Sequence, residues 1–135
     1  MSSLPDTSPT PSAFMQAAGL VIDKAETSHV TGWIDLGSAH HQPWGLVHGG
    51  VYTTAIESAA SIGASTAAQK HGLVAVGVNN NTNFLRSMTE GRVTVDARAI
   101  QQGRTQQLWE VRITDDRQRL IATGQVRLQN ITPRA

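Results

Sequence analysis

Residues 51–69 read VYTTAIESAASIGASTAAQ, and the reading of this run decides the fold. Its apolar residues recur at Val51, Ala55, Ala59 and Ile62, a spacing that puts them along one side of an α-helix. No other part of the chain supports a helix of that length, and Gly72 follows where a left-handed residue commonly closes one. The sequence on either side has the period of strands. Upstream, GLVIDKAETSHVTGWIDL at 19–36 reads as two strands joined by a polar turn at 24–27; in the second, Val30, Gly32, Ile34 and Leu36 alternate with His29, Thr31, Trp33 and Asp35. Downstream, strands are predicted over 74–86, 92–102, 106–114 and 120–129, separated by Glu90-Gly91, Gln102-Gly103 and Asp115-Asp116. Val93, Val95, Ala97 and Ala99 share one face of their strand, as do Trp109, Val111 and Ile113, and then Ala122, Gly124, Val126 and Leu128.

Two strands, one long helix and four more strands make an α+β fold, an antiparallel sheet wrapped around a central α-helix. A single sheet covers only one of its faces and leaves two edges, so self-association is expected. The domain is expected to span 14–131, opening with a short helical turn at 14–20. Residues 1–13, with three prolines among small polar residues, read as a flexible N-terminal tail, and 132–135 as a C-terminal tail.

With 135 residues the chain is long enough for one core of ordinary size and too short for two. Eleven basic side chains against ten acidic ones give no electrostatic footprint for a nucleic-acid backbone or an anionic membrane. The absence of cysteine removes disulfides, thiolate zinc sites and a cysteine nucleophile. No stretch has the roughly 20 apolar residues of a membrane span or the layout of a secretory signal, so the expectation is a cytoplasmic protein.

The chemistry concentrates at 40–57, HHQPWGLVHGGVYTTAIE. A helix beginning near Gly49-Gly50 presents backbone N–H groups that have no internal acceptor and carry the positive end of the helix dipole, suited to receive negative charge developing on a substrate oxygen. Glycine lets a ligand approach that backbone closely. Glu57 lies two turns on with Ser61 at i+4, sharing a small polar stripe with Gly50, Thr53 and Thr54, away from the face expected on the sheet. A carboxylate on such a stripe, partly withdrawn from water, is suited to attack a carbonyl or activate water. His48 also reads as a residue closing the helix N-terminus, and His40 and His41 as loop residues. The three histidines lack the short paired spacing of a zinc site, so no metal is expected.

Together Gln42, His48, Gly49, Glu57 and Ser61 resemble the active-site pattern of hotdog-fold acyl-CoA thioesterases, in the branch with a glutamate on the central helix. That branch includes 4-hydroxybenzoyl-CoA and 1,4-dihydroxy-2-naphthoyl-CoA thioesterases, and the resemblance runs from about Ala18 to Asn130. It implies that the Gly49 N–H polarises the thioester carbonyl, that Gln42 and His48 orient the reacting groups, that Glu57 is nucleophile or general base, and that Ser61 positions Glu57 or water. It further implies that Arg86, Arg104 and Thr105 bind the nucleotide end of coenzyme A, although relatives often carry serine where Arg104 stands. No cofactor is implied, since coenzyme A is part of the substrate. The implied assembly is a homotetramer of dimers with active sites shared between chains, and the implied acyl group is aromatic. Two other readings are a hotdog 3-hydroxyacyl-thioester dehydratase or hydratase and a non-catalytic acyl-CoA-binding protein; the first is associated with His-Phe-Pro-Gly, whereas this chain has His-Gln-Pro-Trp-Gly.

Overall fold

The structure, a computed structural model of the chain, describes residues 12–134. Most of the expected N-terminal tail lies outside that range. The described part begins at Ser12, whose Oγ accepts the Met15 N–H at 3.3 Å and caps helix α1 (Ala13–Ala18), which ends at Gly19 with φ +81°. Then come β1 (Leu20–Ala25), β2 (His29–Leu36), a 3₁₀ turn (Ser38–His40), α2 (Gly49–Gln69), β3 (Val74–Phe84), β4 (Gly91–Gln102), β5 (Gln106–Thr114) and β6 (Leu120–Ile131). The six strands form one antiparallel sheet in the order β1-β2-β4-β5-β6-β3, with β1 and β3 at its edges. Helix α2 packs across its concave face, the α+β arrangement the alternation predicts.

The strand faces follow the sequence pattern. Val30, Ile34, Val93, Val95, Ala97, Trp109, Val111, Ile113, Ala122, Val126 and Leu128 all point inward and are fully buried. The helix face does not follow it. The residues of α2 held against the sheet are Tyr52, Ala55, Ile56, Ala59, Ala60, Gly63, Ala64 and Ala68, whereas Val51 and Ile62, expected on that face, are only partly buried at its margin. At about 100° per residue the buried arc is centred well away from Val51, and Glu57 falls on its opposite margin, toward β3. Small residues hold the centre because the sheet curves tightly around the helix. A Cβ on Gly63 would overlap the Trp109 ring, which is itself fully buried.

A polar staple fixes this contact. Trp109 Nε1–H donates to Gln107 Oε1 at 2.9 Å, while Gln107 Nε2 donates to the Ala64 carbonyl of α2 at 2.9 Å and to Asn130 Oδ1 at 3.0 Å. Gln107 is 3% exposed, so a buried polar side chain here costs little only because both ends of its amide are paired.

The β5–β6 turn is organised by Asp115. Its carboxylate accepts the backbone N–H groups of Arg117 and Arg119, each at 2.9 Å, and the Arg119 Nε–H at 2.7 Å. Burial pushes this carboxyl up, but the Arg119 and Arg117 hydrogen bonds outweigh burial and hold it below the ordinary value of 3.8.

Gly63→Ala is expected to destabilise the fold by about 1–3 kcal/mol in denaturant unfolding, the usual cost of overpacking a filled core, and wild-type stability would show that Trp109 can move aside. Because the folded-state pKa of Asp115 is lowered, the stability it contributes is present above the ordinary carboxylate range and lost as pH falls through the lowered value. Asp115→Asn should therefore be less stable than wild type at neutral pH, and the gap should close as pH falls through the lowered value; a gap that persists once the carboxyl is protonated would refer its effect to packing.

Candidate active site

The loop between β2 and α2 is tied to the rest of the chain along its length. His41 bridges Val47; Gln42 N–H donates to the Leu46 carbonyl at 2.7 Å; and Val47 N–H donates to the Met88 carbonyl at 2.9 Å. His41 Nε2–H donates to the Thr89 carbonyl at 2.7 Å, and His40 Nδ1 accepts the Gly37 N–H at 3.2 Å. Both histidines therefore serve the loop, and among the described residues no group of three His, Cys, Asp or Glu side chains is placed to hold a metal.

His48 is the N-cap of α2. Its Nδ1 accepts the Gly50 N–H at 2.8 Å, which makes the ring the neutral tautomer with its proton on Nε2. The Val51 N–H is taken by the His48 carbonyl at 3.0 Å. That leaves the Gly49 N–H, the first amide of a 21-residue helix, with no hydrogen bond among the described residues. The resemblance names the Gly49 N–H as the donor, and the His48 cap, by taking the Gly50 N–H, leaves that amide free. Gln42 lies beside it with Oε1 accepting the Trp44 and Leu46 N–H groups at 2.6 and 3.3 Å, so Nε2 is the part of its amide left to donate.

These groups line a cavity of about 570 Å³ together with Tyr52, Phe84 and Arg86. The Phe84 ring covers the Gly49 α-carbon so closely that a Cβ there would come within 2.9 Å of it. Tyr52 stands 6.3 Å from Phe84, centroid to centroid, and is 3% exposed. Its hydroxyl is buried without a partner among the described residues, and burial pushes its pKa up to about 12, so it stays protonated. Among the larger aromatic residues, Trp109 is core, Phe84 lines the cavity, and Trp44 is 83% exposed.

Glu57 faces elsewhere. It lines a second cavity of about 270 Å³ with Phe14, Thr53, Thr54, Ser58 and Asn80, and its Oε1 accepts the Asn80 Nδ2–H at 3.2 Å. Ser61, one turn further along, is half-buried and is not among the residues lining that cavity. Eight residues separate Gly49 from Glu57, an axial distance of about 12 Å. Within one chain, the amide and the carboxylate do not reach the same carbonyl. Arg86 lies at the Gly49 cavity, but Arg104 and Thr105 follow Gly103, which lines a cavity with Ala67 and Ala68 at the far end of α2, about 27 Å along its axis from Gly49. Their turn is pinned by Asn130, whose Nδ2 donates to the Gly103 and Arg104 carbonyls and whose N–H donates to the Thr105 carbonyl at 2.8 Å.

Sequence reasoning missed Asn80 and Tyr52. The only hint of Asn80 was the asparagine run at 79–81 inside a strand.

Residues 45–122, from the loop through the start of β6, match the family model described as the thioesterase superfamily. A provisionally named esterase of Mycobacterium tuberculosis, Rv1847/MT1895, is 53% identical over 92 residues, 67% of this chain and just under two thirds, 66%, of that one. Its solved structure superposes with a TM-score of 0.86 at 43% identity, covering 90% of this chain and 98% of that one. A Listeria monocytogenes protein named 1,4-dihydroxy-2-naphthoyl-CoA hydrolase is 36% identical over 106 residues, 78% of this chain and 85% of that one.

Since the Tyr52 hydroxyl is buried without a partner, Tyr52→Phe should leave stability unchanged or raise it by up to about 1 kcal/mol in thermal unfolding. A loss above about 1 kcal/mol would mean that the hydroxyl is hydrogen-bonded in solution.

Proposed function

The chain belongs to the thioesterase superfamily, and from that footing we propose that it hydrolyses an acyl-CoA thioester, with a preference for an aromatic acyl group, to the free acid and coenzyme A. The observation that carries this reading is the N-terminus of α2. A single unpartnered glycine amide, at the positive end of a long helix, opens on a cavity beside a glutamine donor, where an oxyanion would be received. Glu57 supplies the acid–base or nucleophilic group, with its Oε2 free of any hydrogen bond among the described residues.

In this mechanism the thioester carbonyl oxygen accepts the Gly49 N–H, and Gln42 Nε2 and His48 help to orient the thioester. Glu57 either draws a proton from water as the water attacks the carbonyl carbon, or attacks that carbon itself to give a mixed anhydride that water then opens. In both courses the carbon–sulfur bond breaks and coenzyme A leaves as a thiolate, which at a thiol pKa near about 8.5 demands no strong acid. The chemistry calls for no cofactor. Single-turnover isotope tracing detects the anhydride course where water opens it at the Glu57 carbonyl carbon, because only then does solvent oxygen enter the Glu57 carboxylate and an enzyme oxygen leave with the acid.

The 12 Å axial gap is closed by a second copy of the chain, whose Glu57 meets the Gly49 amide of the first. Supporting this is the edge strand β3, eleven residues long, with Val76 and Val78 exposed and an outer edge unpaired among the described residues, a surface that a second sheet edge would cover. Pairs of such dimers make the proposed tetramer, in which Arg104 and Thr105 reach the coenzyme A of a neighbouring chain, and Arg86 meets its phosphates at the cavity mouth.

Free-thiol release from benzoyl-, naphthoyl- and aliphatic-CoA thioesters is the test. Glu57→Ala is expected to lower kcat by at least about 100-fold while remaining folded. Binding without thiol release by the wild type would favour the acyl-CoA-binding reading, and hydration of an enoyl-CoA in its place would favour the hydratase. An equal mixture of Glu57→Ala and Gln42→Ala chains, exchanged to equilibrium, should recover about a quarter of wild-type activity, because half of the dimers are hybrids with one intact site of two. No recovery would place both groups of each site in one chain.

A further inference from the structure

The β3 strand carries an irregularity beside Glu57. In its pairing with β6, Gly77 stands opposite Leu128 and Asn79 opposite Arg127, so Val78 is an extra residue on β3. A bulge of this kind reverses which side of the strand successive residues face. Before it, Ala75 and Gly77 point toward α2; after it, Asn80, Thr82 and Phe84 do. Asn79, Asn81 and Asn83, which an unbroken strand would have turned to the helix, are exposed instead. The consequence is that one asparagine of the run meets Glu57.

Its contacts define the orientation of its amide. Asn80 Nδ2 donates to Glu57 Oε1 at 3.2 Å and to the Thr53 carbonyl at 3.3 Å, while Asn80 Oδ1 accepts the Thr82 Oγ1–H at 2.7 Å. The opposite flip would set Oδ1 against both a carboxylate and a carbonyl, two acceptors facing an acceptor. Thr82 thus fixes Asn80, and Asn80 fixes one oxygen of Glu57. The other oxygen, Oε2, rests against the bare α-carbon of Gly77, where any Cβ would overlap it. Gly77 is the last residue before the bulge, so one local irregularity provides both the space for Oε2 and the donor for Oε1.

The geometry points to Asn80 as a positioning residue for the proposed reaction: with its carboxamide set by Thr82, it holds Glu57 Oε1 so that Oε2 is the oxygen presented to water or to the acyl carbon. This rests on the reading of Glu57 as the reacting carboxylate. A glutamate has three side-chain torsions to restrain, and a carboxylate misplaced by about 1 Å can cost on the order of 100-fold in rate. Asn80 lines the same cavity as Glu57 and is bonded to it, and in this assignment its removal acts through the placement of Glu57.

The experiment measures kcat and KM for the CoA thioester turned over fastest by the wild type. Asn80→Ala and Thr82→Val should each lower kcat, Asn80→Ala by roughly 10- to 100-fold, with KM within about twofold of wild type. Thr82→Ser, which keeps the hydroxyl donor, should restore most of the loss seen with Thr82→Val. On a Glu57→Ala background, Asn80→Ala should change the residual rate by less than about twofold, because two residues acting through one group are not additive. Thr82→Val keeps the shape of the side chain, so it carries the test if Asn80→Ala fails to fold. Wild-type kcat in Asn80→Ala or in Thr82→Val, or a full additional loss on the Glu57→Ala background, overturns the assignment. If Glu57→Ala itself turns over like wild type, or the wild type releases no thiol, the functional reading falls and this one with it; an inactive Glu57→Ala beside a fully active Asn80→Ala sinks this inference alone.

Discussion

The close approach of α2 to the sheet is the constraint on which the rest of the molecule depends. Six of its eight buried residues are alanine or glycine, and at Gly63 the helix comes so near the Trp109 ring that not even a methyl group fits between them. Small residues give up buried area per residue, and the fold recovers it by wrapping aliphatic side chains of all six strands around the helix. Such a contact leaves little latitude for sliding, and the Gln107 amide, bonded to the Ala64 carbonyl, removes what remains along the axis. The position of the helix start, where the loop 41–48 delivers His48 and Gly49, is therefore set by packing well away from it.

With the helix fixed, its own geometry divides the chemistry. A rise of about 1.5 Å per residue puts the first amide and a carboxylate eight residues later too far apart to act on one carbonyl. The two groups open on different cavities, one bounded by Phe84 and Arg86 and the other by Phe14 and Asn80. Both cavities border β3, which pairs with β6 on one side and with nothing described on the other. An edge strand that touches both halves of a divided site is where a second copy would reunite them, and this is why the proposed function and the proposed assembly stand or fall together.

The strands were legible because alternation on one-sided strands is a direct record of burial: in β2 the reading that put Val30, Gly32, Ile34 and Leu36 inward is what the structure has. The helix itself was legible within two residues of its start. Its orientation was not, because Ala, Ser, Thr and Gly differ too little in hydrophobicity to mark a face, and Val51 and Ile62 drew the expected face toward one margin. The loop residues His48, Gly49 and Gln42 were identifiable from their order in the chain, but which glycine amide stays free depends on the His48 cap, a three-dimensional fact. Asn80 was hidden for a different reason. Three consecutive asparagines give no alternation, and a one-residue bulge at Val78 decides which of them reaches the helix.

The groups gathered near the two cavities also bear on what kind of ester this arrangement suits. At the Gly49 end the donors are a backbone amide, the Gln42 carboxamide and a neutral His48 whose Nδ1 is committed to the cap; Tyr52, held protonated by burial, is too weak an acid to give up a proton at neutral pH. At the other end Glu57 is held by Asn80, again an uncharged donor. On the proposed reading this set receives an oxyanion and supplies a base or nucleophile, but it offers little to protonate a departing alkoxide. A thiolate departs without that help, its conjugate acid being far stronger than an alcohol. Oxygen esters would then be turned over much more slowly than thioesters of the same acid, and the difference would lie in kcat rather than KM, since the acyl group binds alike in both and the deficit appears only as the leaving group departs.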